Sequence, residues 1–372
     1  MTAAFNLSQL ANGANTSGQL NASSYLYNQV PVANGGTALS SAGAAGNMLI
    51  ASSASAYSSV AMPTFGFRNR IINGAMMIDQ RNGGASVTLA NAANTFPVDR
   101  FQFYKDNSSA TVTAQQSTTA PAGFYNSLQV NVTTGAASTA AQELVLYQNV
   151  EGLNVADLGF GAAGASSITL SFWVRSSLTG TFAGAIANNG SSRTYIFTYT
   201  INAANTWEQK TITIAGDTTG TWLKNNGTGL GIKFDLGSGS NYNGTANAWT
   251  TGNIYSVSGA VKVMATTGAT FYITGVQLEK GSVATAFDVR PYGTELALCQ
   301  RYFENCGFIA TASSPPYTTI RYAVPKRALP TLVVTFGSIS PATLNSRGVD
   351  YFSMDGNAAS SVAAVATASA EL

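Results

Sequence analysis

Histidine is absent from this chain of 372 residues, and cysteine occurs only twice, at Cys299 and Cys306. Without histidine the commonest general base is gone, and the Ser-His and Cys-His nucleophile pairs go with it. Two cysteines cannot supply the four N or S ligands of a usual zinc site. If the segment between them is helical, they stand about 10 Å apart along the axis, beyond disulfide reach, and read as reduced packing residues. No run approaches the roughly 18 apolar residues needed to cross a bilayer. Met1 to Leu10 lacks the charged start and apolar centre of a signal peptide. The expectation is a soluble product, made in the cytoplasm and not inserted in a membrane.

Charge is also scarce. Only 9% of residues are charged, against about 25% in ordinary soluble domains. The 18 basic and 16 acidic side chains include no basic run that could hold a polyanion, so nucleic acid is not an expected partner. What replaces charge is 37 glycines and long tracts of Ala, Ser, Thr and Asn. Neutral polar groups must keep such a chain soluble, and a net charge near zero favours association. The composition therefore points to a protein that sits in an assembly.

Residues 1–62 are of low complexity, with apolar residues such as Leu10, Leu20, Val30 and Leu49 at irregular spacing. Such a segment cannot bury enough surface to fold alone, and is expected either to stay a flexible leader or to be extended and ordered on neighbouring subunits, the second being preferred. From residue 63 the pattern becomes one of short strands. Leu128, Val130 and Val132 alternate with polar residues, as do Ile168, Leu170, Phe172 and Val174; Tyr195, Phe197, Tyr199 and Ile201; and Ile232, Phe234 and Leu236. Each strand has one apolar face and needs a facing sheet. Gly-rich connections separate them as in a jelly-roll β-sandwich, expected over residues 63–290. The alternation changes phase at Gly275, which suggests a bulge. A short helix, capped by Thr294 and running from Glu295 to Glu304, is expected to open a small C-terminal β domain, residues 291–372. The Ala- and Ser-rich stretch near the end gives no clear element. The fold class is thus all-β.

Several segments resemble those of bacteriophage tail and fibre proteins: FRNRIINGAMMIDQRNGG (67–84), FPVDRFQF (96–103) and ITGVQLEKGSVATAFDVRPYGTELALCQRYF (273–303). SFWVRSSLTGTF with NTWEQKTITIAGDTTGTW is similar to jelly rolls of the carbohydrate-binding-module type. VPVANGGTALSSAGAAGNMLIASSASAYSSV resembles the Gly-Gly-Thr repeats of phage fibre shafts. The resemblance implies a homotrimeric virion appendage, attached to other tail or neck proteins through its N-terminal segment and touching host polysaccharide. Alternatives within it are an architectural neck, decoration or capsid-attached fibre protein, and a polysaccharide depolymerase.

Candidate chemistry narrows to binding. Asp217, Asp235 and Asp288 fall at turns or strand ends, and Asp79 and Asp99 lie near Arg70, Arg81 and Arg100, where structural ion pairs are expected. GFGAAG (159–164) precedes a strand, so it forms no phosphate cradle. No catalytic residue, metal ligand or cofactor is assigned. Sugar recognition needs flat aromatic faces and amides, with no titrating group. Trp222, Tyr242 and Trp249, in loop-rich sequence beside Asn225, Asn226, Asn241 and Asn243, form the candidate glycan site. The competing reading of these rings is that they anchor long loops onto the sandwich.

Overall fold

Period-two alternation through the middle of the chain builds two antiparallel sheets whose apolar faces meet. The structure, a computed structural model, describes residues 47–53, 56–61, 68–310, 317–336, 342–356 and 362–372. Two compact units divide the chain, Met1–Gly66 and Phe67–Leu372. Of the expected extended segment, residues 1–46 lie outside the described part. Its end forms a hairpin, β1 (Asn47–Ser53) with β2 (Ala56–Ala61), Asn47 standing opposite Ala61.

The second unit holds the sandwich. Its strands are β3 (Val87–Thr88), β4 (Ala93–Val98), β5 (Phe101–Asp106), β6 (Thr111–Ser117), β7 (Ser127–Thr134), β8 (Glu143–Glu151), β9 (Ile168–Ser176), β10 (Gly180–Ala187), β11 (Thr194–Ile201), β12 (Glu208–Ile214), β13 (Thr228–Asp235), β14 (Trp249–Thr250) and β15 (Thr270–Lys280). One sheet has seven strands in the order β14-β11-β10-β13-β8-β5-β4, and the other six in the order β12-β9-β15-β7-β6-β3. The chain passes repeatedly between the sheets, as a jelly roll requires. Ile168, Leu170, Phe172 and Val174 of β9 are wholly buried, as are Phe182, Phe197 and Leu146 from the facing sheet. Phe172 meets Phe234 edge-on at 5.1 Å and Tyr199 at 5.0 Å, locking the layers together. Each such side chain contributes roughly 1.5–3 kcal/mol through burial.

The expected bulge is present: the β15–β9 register slips between Thr274 and Gln277, where Gly275 takes φ 61°. Its neighbourhood receives the 68–84 segment. Asn69 donates to Val276 O (3.1 Å) and accepts from Leu278 N (3.1 Å), and Val276 N donates to Gly74 O (2.9 Å). Segments far apart in sequence are thus stitched along one end of the sandwich.

The helix differs from expectation. α1 spans Tyr292–Gln300, begins after Pro291 and has no side-chain cap, so Thr294 does not cap it. Pro291 O accepts from Thr294 N and Glu295 N instead. It ends before Phe303 because residues from there pair as β16 (Phe303–Ala310), with Phe303 opposite Ser369. Cys299 therefore lies on the helix and Cys306 on a strand; both are free and buried. The remaining strands are β17 (Tyr317–Arg321), β18 (Thr331–Phe336), β19 (Ala342–Arg347), β20 (Tyr351–Gly356) and β21 (Val362–Ser369). They form two three-stranded sheets, β16-β21-β18 and β17-β20-β19. Between them pack Cys306, Tyr322, Phe352, Met354, Ala366 and Ala368. The Ala-rich stretch that gave no clear element is β21, the central strand of its sheet. This region packs against the sandwich through Cys299 and Tyr302, which meet Ile72 and Ile78, and through Arg301, which pairs with Glu151 at 2.8 and 3.0 Å.

Candidate functional site

Because Leu144, Leu146, Leu230, Ile232 and Phe234 face the core, their neighbours in the alternation face out. On β8 these are Glu143, Val145, Tyr147 and Asn149; on β13, Gly231, Lys233 and Asp235; on β5, Tyr104 and Asp106. Register places them side by side: Lys233 lies opposite both Tyr147 and Ala185, Gly231 opposite both Asn149 and Ala187, and Tyr104 opposite Val145. Small residues in the middle of a sheet face leave a depression between larger ones. Here it is an open groove of about 280 Å³, with Ala187 and Gly231 on its floor and Tyr104 and Tyr147 along one side. A Cβ at Gly231 would stand 2.9 Å from Asn149 Oδ1 and crowd that floor.

Two connections form the far side. The 188–191 turn is held by Asn188, which accepts from Arg193 N at 2.8 Å and donates to Thr221 O at 2.8 Å. Ser191 adopts φ 54°, an uncommon backbone for a residue other than glycine. Its carbonyl accepts from Gly252 N at 3.0 Å, which ties the turn to the second connection. That one is anchored by the buried Asp235 carboxylate, which accepts from Gly237 N, Ser238 N, Ser256 Oγ and Lys262 Nζ at 2.6–3.1 Å. Tyr255 is thereby pressed onto Val145 and Ala185. Its hydroxyl donates to Glu143 at 2.5 Å, and its ring stacks on Tyr242, centroids 5.1 Å apart.

Electrostatically the groove is mild. Burial pushes the Tyr147 hydroxyl up to about 12, and it donates to Asn94 Oδ1 at 2.9 Å. Burial likewise raises Tyr242 to about 12. These phenols are neutral donors at any ordinary pH. Lys233 is shifted down to about 8 by burial, with Glu143 opposing the shift. Flat rings, amides and hydroxyls at fixed positions suit a polyhydroxylated ligand. Among the described residues no group of three His, Cys, Asp or Glu side chains could hold a metal.

The residues singled out from sequence are divided by the fold. Trp222 and Trp249 come together away from the groove: Phe160 meets them edge-on at 4.8 and 5.9 Å, and they meet each other at 5.6 Å. Trp222 is only 8% exposed, and its indole N–H donates to Thr219 O at 3.2 Å. Trp249 is half-buried and donates to Ala215 O at 2.9 Å. These two rings pack into the edge of the sandwich, where Trp222 keeps little surface and Trp249 is partly exposed, so they stand apart from the groove. Asn225 is exposed in a turn, where its side chain accepts from Gly227 N at 2.9 Å. Asn226 engages Arg327. Asn241, also exposed, donates its backbone N–H to Ala140 O at 3.0 Å. Tyr242 alone reaches the groove region, as the ring backing Tyr255.

Tyr104, Tyr147, Lys233, Asn253 and Tyr255 escaped the sequence reading. The available signal was outward-facing Ala185, Ala187 and Gly231 beside outward-facing Tyr147 and Lys233, a small-residue floor next to an aromatic wall. The expected ion pairs are present in changed form. Arg81 reaches Asp99 at 3.4 Å, Arg70 pairs with Asp157 at 2.9 Å, and Arg100 pairs with Glu371. Asp217 and Asp235 pair with Arg193 and Lys262. Asp79 instead accepts from the Asn82 and Gly84 amides in a turn.

No family model matches the chain, and no curated protein matches it. Among solved structures it is similar to the enzymatically active domain of tailspike protein 4 of bacteriophage CBA120, at 12% identity and a TM-score of 0.31, over 59% of this chain and 22% of that one. It is also similar to a CBM4 protein, at 14% identity and a TM-score of 0.30, over 56% of this chain and 97% of that one. A family 11 carbohydrate-binding module from Clostridium thermocellum, in complex with a mixed-linked tetrasaccharide, aligns at 12% identity and a TM-score of 0.27, over 55% of this chain and all of the module.

Proposed function

We propose that this chain is a glycan-binding structural subunit of a bacteriophage virion, a homotrimeric tail fibre or related appendage that recognises host-surface polysaccharide without cleaving it. The observation that carries the binding part is the groove on the outer face of the seven-stranded sheet: Tyr104 and Tyr147 beside a floor of Ala187 and Gly231, rimmed by Asn149, Asn189 and Asn253. Sugar rings stack on the flat phenols while the amides satisfy hydroxyls. The virion role is supported by the resemblance of residues 67–84, 96–103 and 273–303 to phage tail proteins, and attachment to other virion proteins is assigned to residues 1–62. Three copies presenting one weak site each would gain avidity through effective concentration.

The test is affinity electrophoresis of the purified protein in gels containing polysaccharides from the host surface. Retardation is expected. The double variant Tyr104→Ala/Tyr147→Ala should bind at least tenfold more weakly, about 1.4 kcal/mol, while remaining folded at the assay temperature, as its unfolding curve checks. Binding unaffected by the double variant would refute the groove as the site. Loss of adsorption by assembled particles carrying that variant would separate receptor recognition from a purely architectural role.

A second reading, depolymerisation, has one observation in its favour. Asp106 and Glu143 are direct cross-strand partners beside the groove, a placement that sets Cβ atoms about 5 Å apart and lets the two carboxyls approach the separation of a retaining glycosidase pair. Both carboxylates already hold structural bonds, Asp106 from Asn107 and Glu143 from Tyr255, so binding is preferred. Release of reducing ends from host polysaccharide, abolished by Glu143→Gln, would reverse that preference.

A further inference from the structure

The charged side chains lining the groove are Lys233 and Glu143, and they are not equally satisfied. Glu143 accepts the Tyr255 hydroxyl at 2.5 Å. Lys233 Nζ donates to Asn253 Oδ1 at 2.6 Å and Ser191 Oγ at 3.1 Å, both neutral acceptors. An ammonium carries three N–H donors, so one has no acceptor among the described residues. Its remaining neighbour is the face of Tyr255, 5.2 Å from Nζ to the ring centroid. Among the described residues no carboxylate lies within ion-pair distance of Lys233, whereas Lys210, Lys262, Lys280 and Lys326 each have one.

A cation bonded to neutral groups in a partly dry groove carries a desolvation cost that Glu143, outside ion-pair distance, offsets only in part, and that cost falls further when an anion arrives. The downward shift of Lys233 agrees with that cost. The protein holds this ammonium firmly: Asn253 and Ser191 belong to the two linked connections described above, so Nζ stands at a fixed point on the groove wall. One spare N–H from a point charge suits a single oxygen of a monoanion; a bidentate dianion would call for a guanidinium or several cations.

We propose that the groove selects an acidic sugar, of the uronic acid class, whose carboxylate is received by Lys233 Nζ while the ring lies against Tyr147. This rests on the glycan-binding reading above. The ligand's orientation follows: the carboxylate is directed to the Lys233 end, away from Asp106 and Glu143, which would repel it.

The experiment uses the full chain and calorimetric titration with oligosaccharides of hyaluronan, alginate and polygalacturonate, each beside its carboxyl-reduced counterpart, and a panel of neutral glucans and xylans. At least one acidic oligosaccharide should bind tenfold or more tightly than its reduced form at pH 7. That preference should shrink as pH rises through about 8, where Lys233 loses its proton. It should vanish in Lys233→Gln and persist in part in Lys233→Arg. Equal binding of acidic and reduced forms, or a preference that survives in Lys233→Gln, overturns the proposal. Binding of neutral glycans alone overturns it too but leaves the glycan groove standing; binding of none of the probes by the folded protein counts against both.

Discussion

At the scale of single residues, Trp222 and Tyr147 show how similar rings come to different uses. Both stand beside asparagines in sequence that alternates poorly, but the indole is enclosed by Phe160 and Trp249 while the phenol lies along an open groove. Trp222→Ala should therefore cost about 3 kcal/mol or more of stability, read as a lower denaturant midpoint, with glycan affinity per folded molecule unchanged. Asp99 makes a pH-dependent contribution. Burial raises its carboxyl from 3.8 to about 6, with Arg81 and Gln80 opposing the shift. Between those two values the folded chain keeps a proton that the unfolded chain has released. The stability Asp99 confers is therefore full at low pH and is lost as pH rises through about 6. Urea titrations from pH 4 to 7 should show wild-type stability falling relative to Asp99→Asn by roughly 2–3 kcal/mol across that window. A difference independent of pH would remove Asp99 as the source.

At the scale of elements, the strands were legible wherever large apolar residues alternate with polar ones. β7, β9, β11 and β13 are where the pattern puts them, and their inward residues are buried. The bulge in β15 was legible from its phase change, and it also has a measurable stake in stability. At Gly275, φ is 61° and an added Cβ would stand 2.6 Å from the Phe124 ring and 3.1 Å from Trp173. Gly275→Ala should thus cost about 2 kcal/mol, through the left-handed backbone and the overpacking together, seen in the unfolding midpoint. β21 was not legible, because Ala364, Ala366 and Ala368 alternate with residues nearly as small, and only the facing Phe352 and Tyr322 decide which side is inside. The helix end was missed for a related reason: Phe303 fits the helical stripe, but pairing with Ser369 takes it into a sheet. The groove could not be read from any one element, since its floor comes from β10 and β13, its wall from β5 and β8, and its rim from two connections. Only the register brings them together.

At the scale of the whole molecule, the scarcity of charge becomes intelligible from where the few ions are placed. Glu151, Asp217 and Asp235 are buried at 1–2% exposure and each is paired, with Arg301, Arg193 and Lys262. Lys326 and Glu304 form a further pair out of water. Ions used as internal staples leave the outside to neutral groups, and neutral surfaces do not repel copies of themselves. Several exposed sites are apolar: Leu49 on β1, and Val333 and Val365, which are 59% and 51% exposed on β18 and β21. β1 and β2 pair only with each other among the described strands, and a two-stranded ribbon is marginal in water unless something covers it. The homotrimer proposed above would supply that cover from chains of identical composition. Light scattering behind size exclusion should return three times the mass of the chain. Because contacts of this kind are not ionic, the value should hold as salt is raised from about 0.05 to 1 M, over which the screening length falls to about 3 Å. Removal of residues 1–61, the hairpin and everything before it, should lower the association state. A monomeric mass for the full chain at every concentration would defeat the assembly reading, and a trimer that salt dissolves would move its cause from apolar cover to charge.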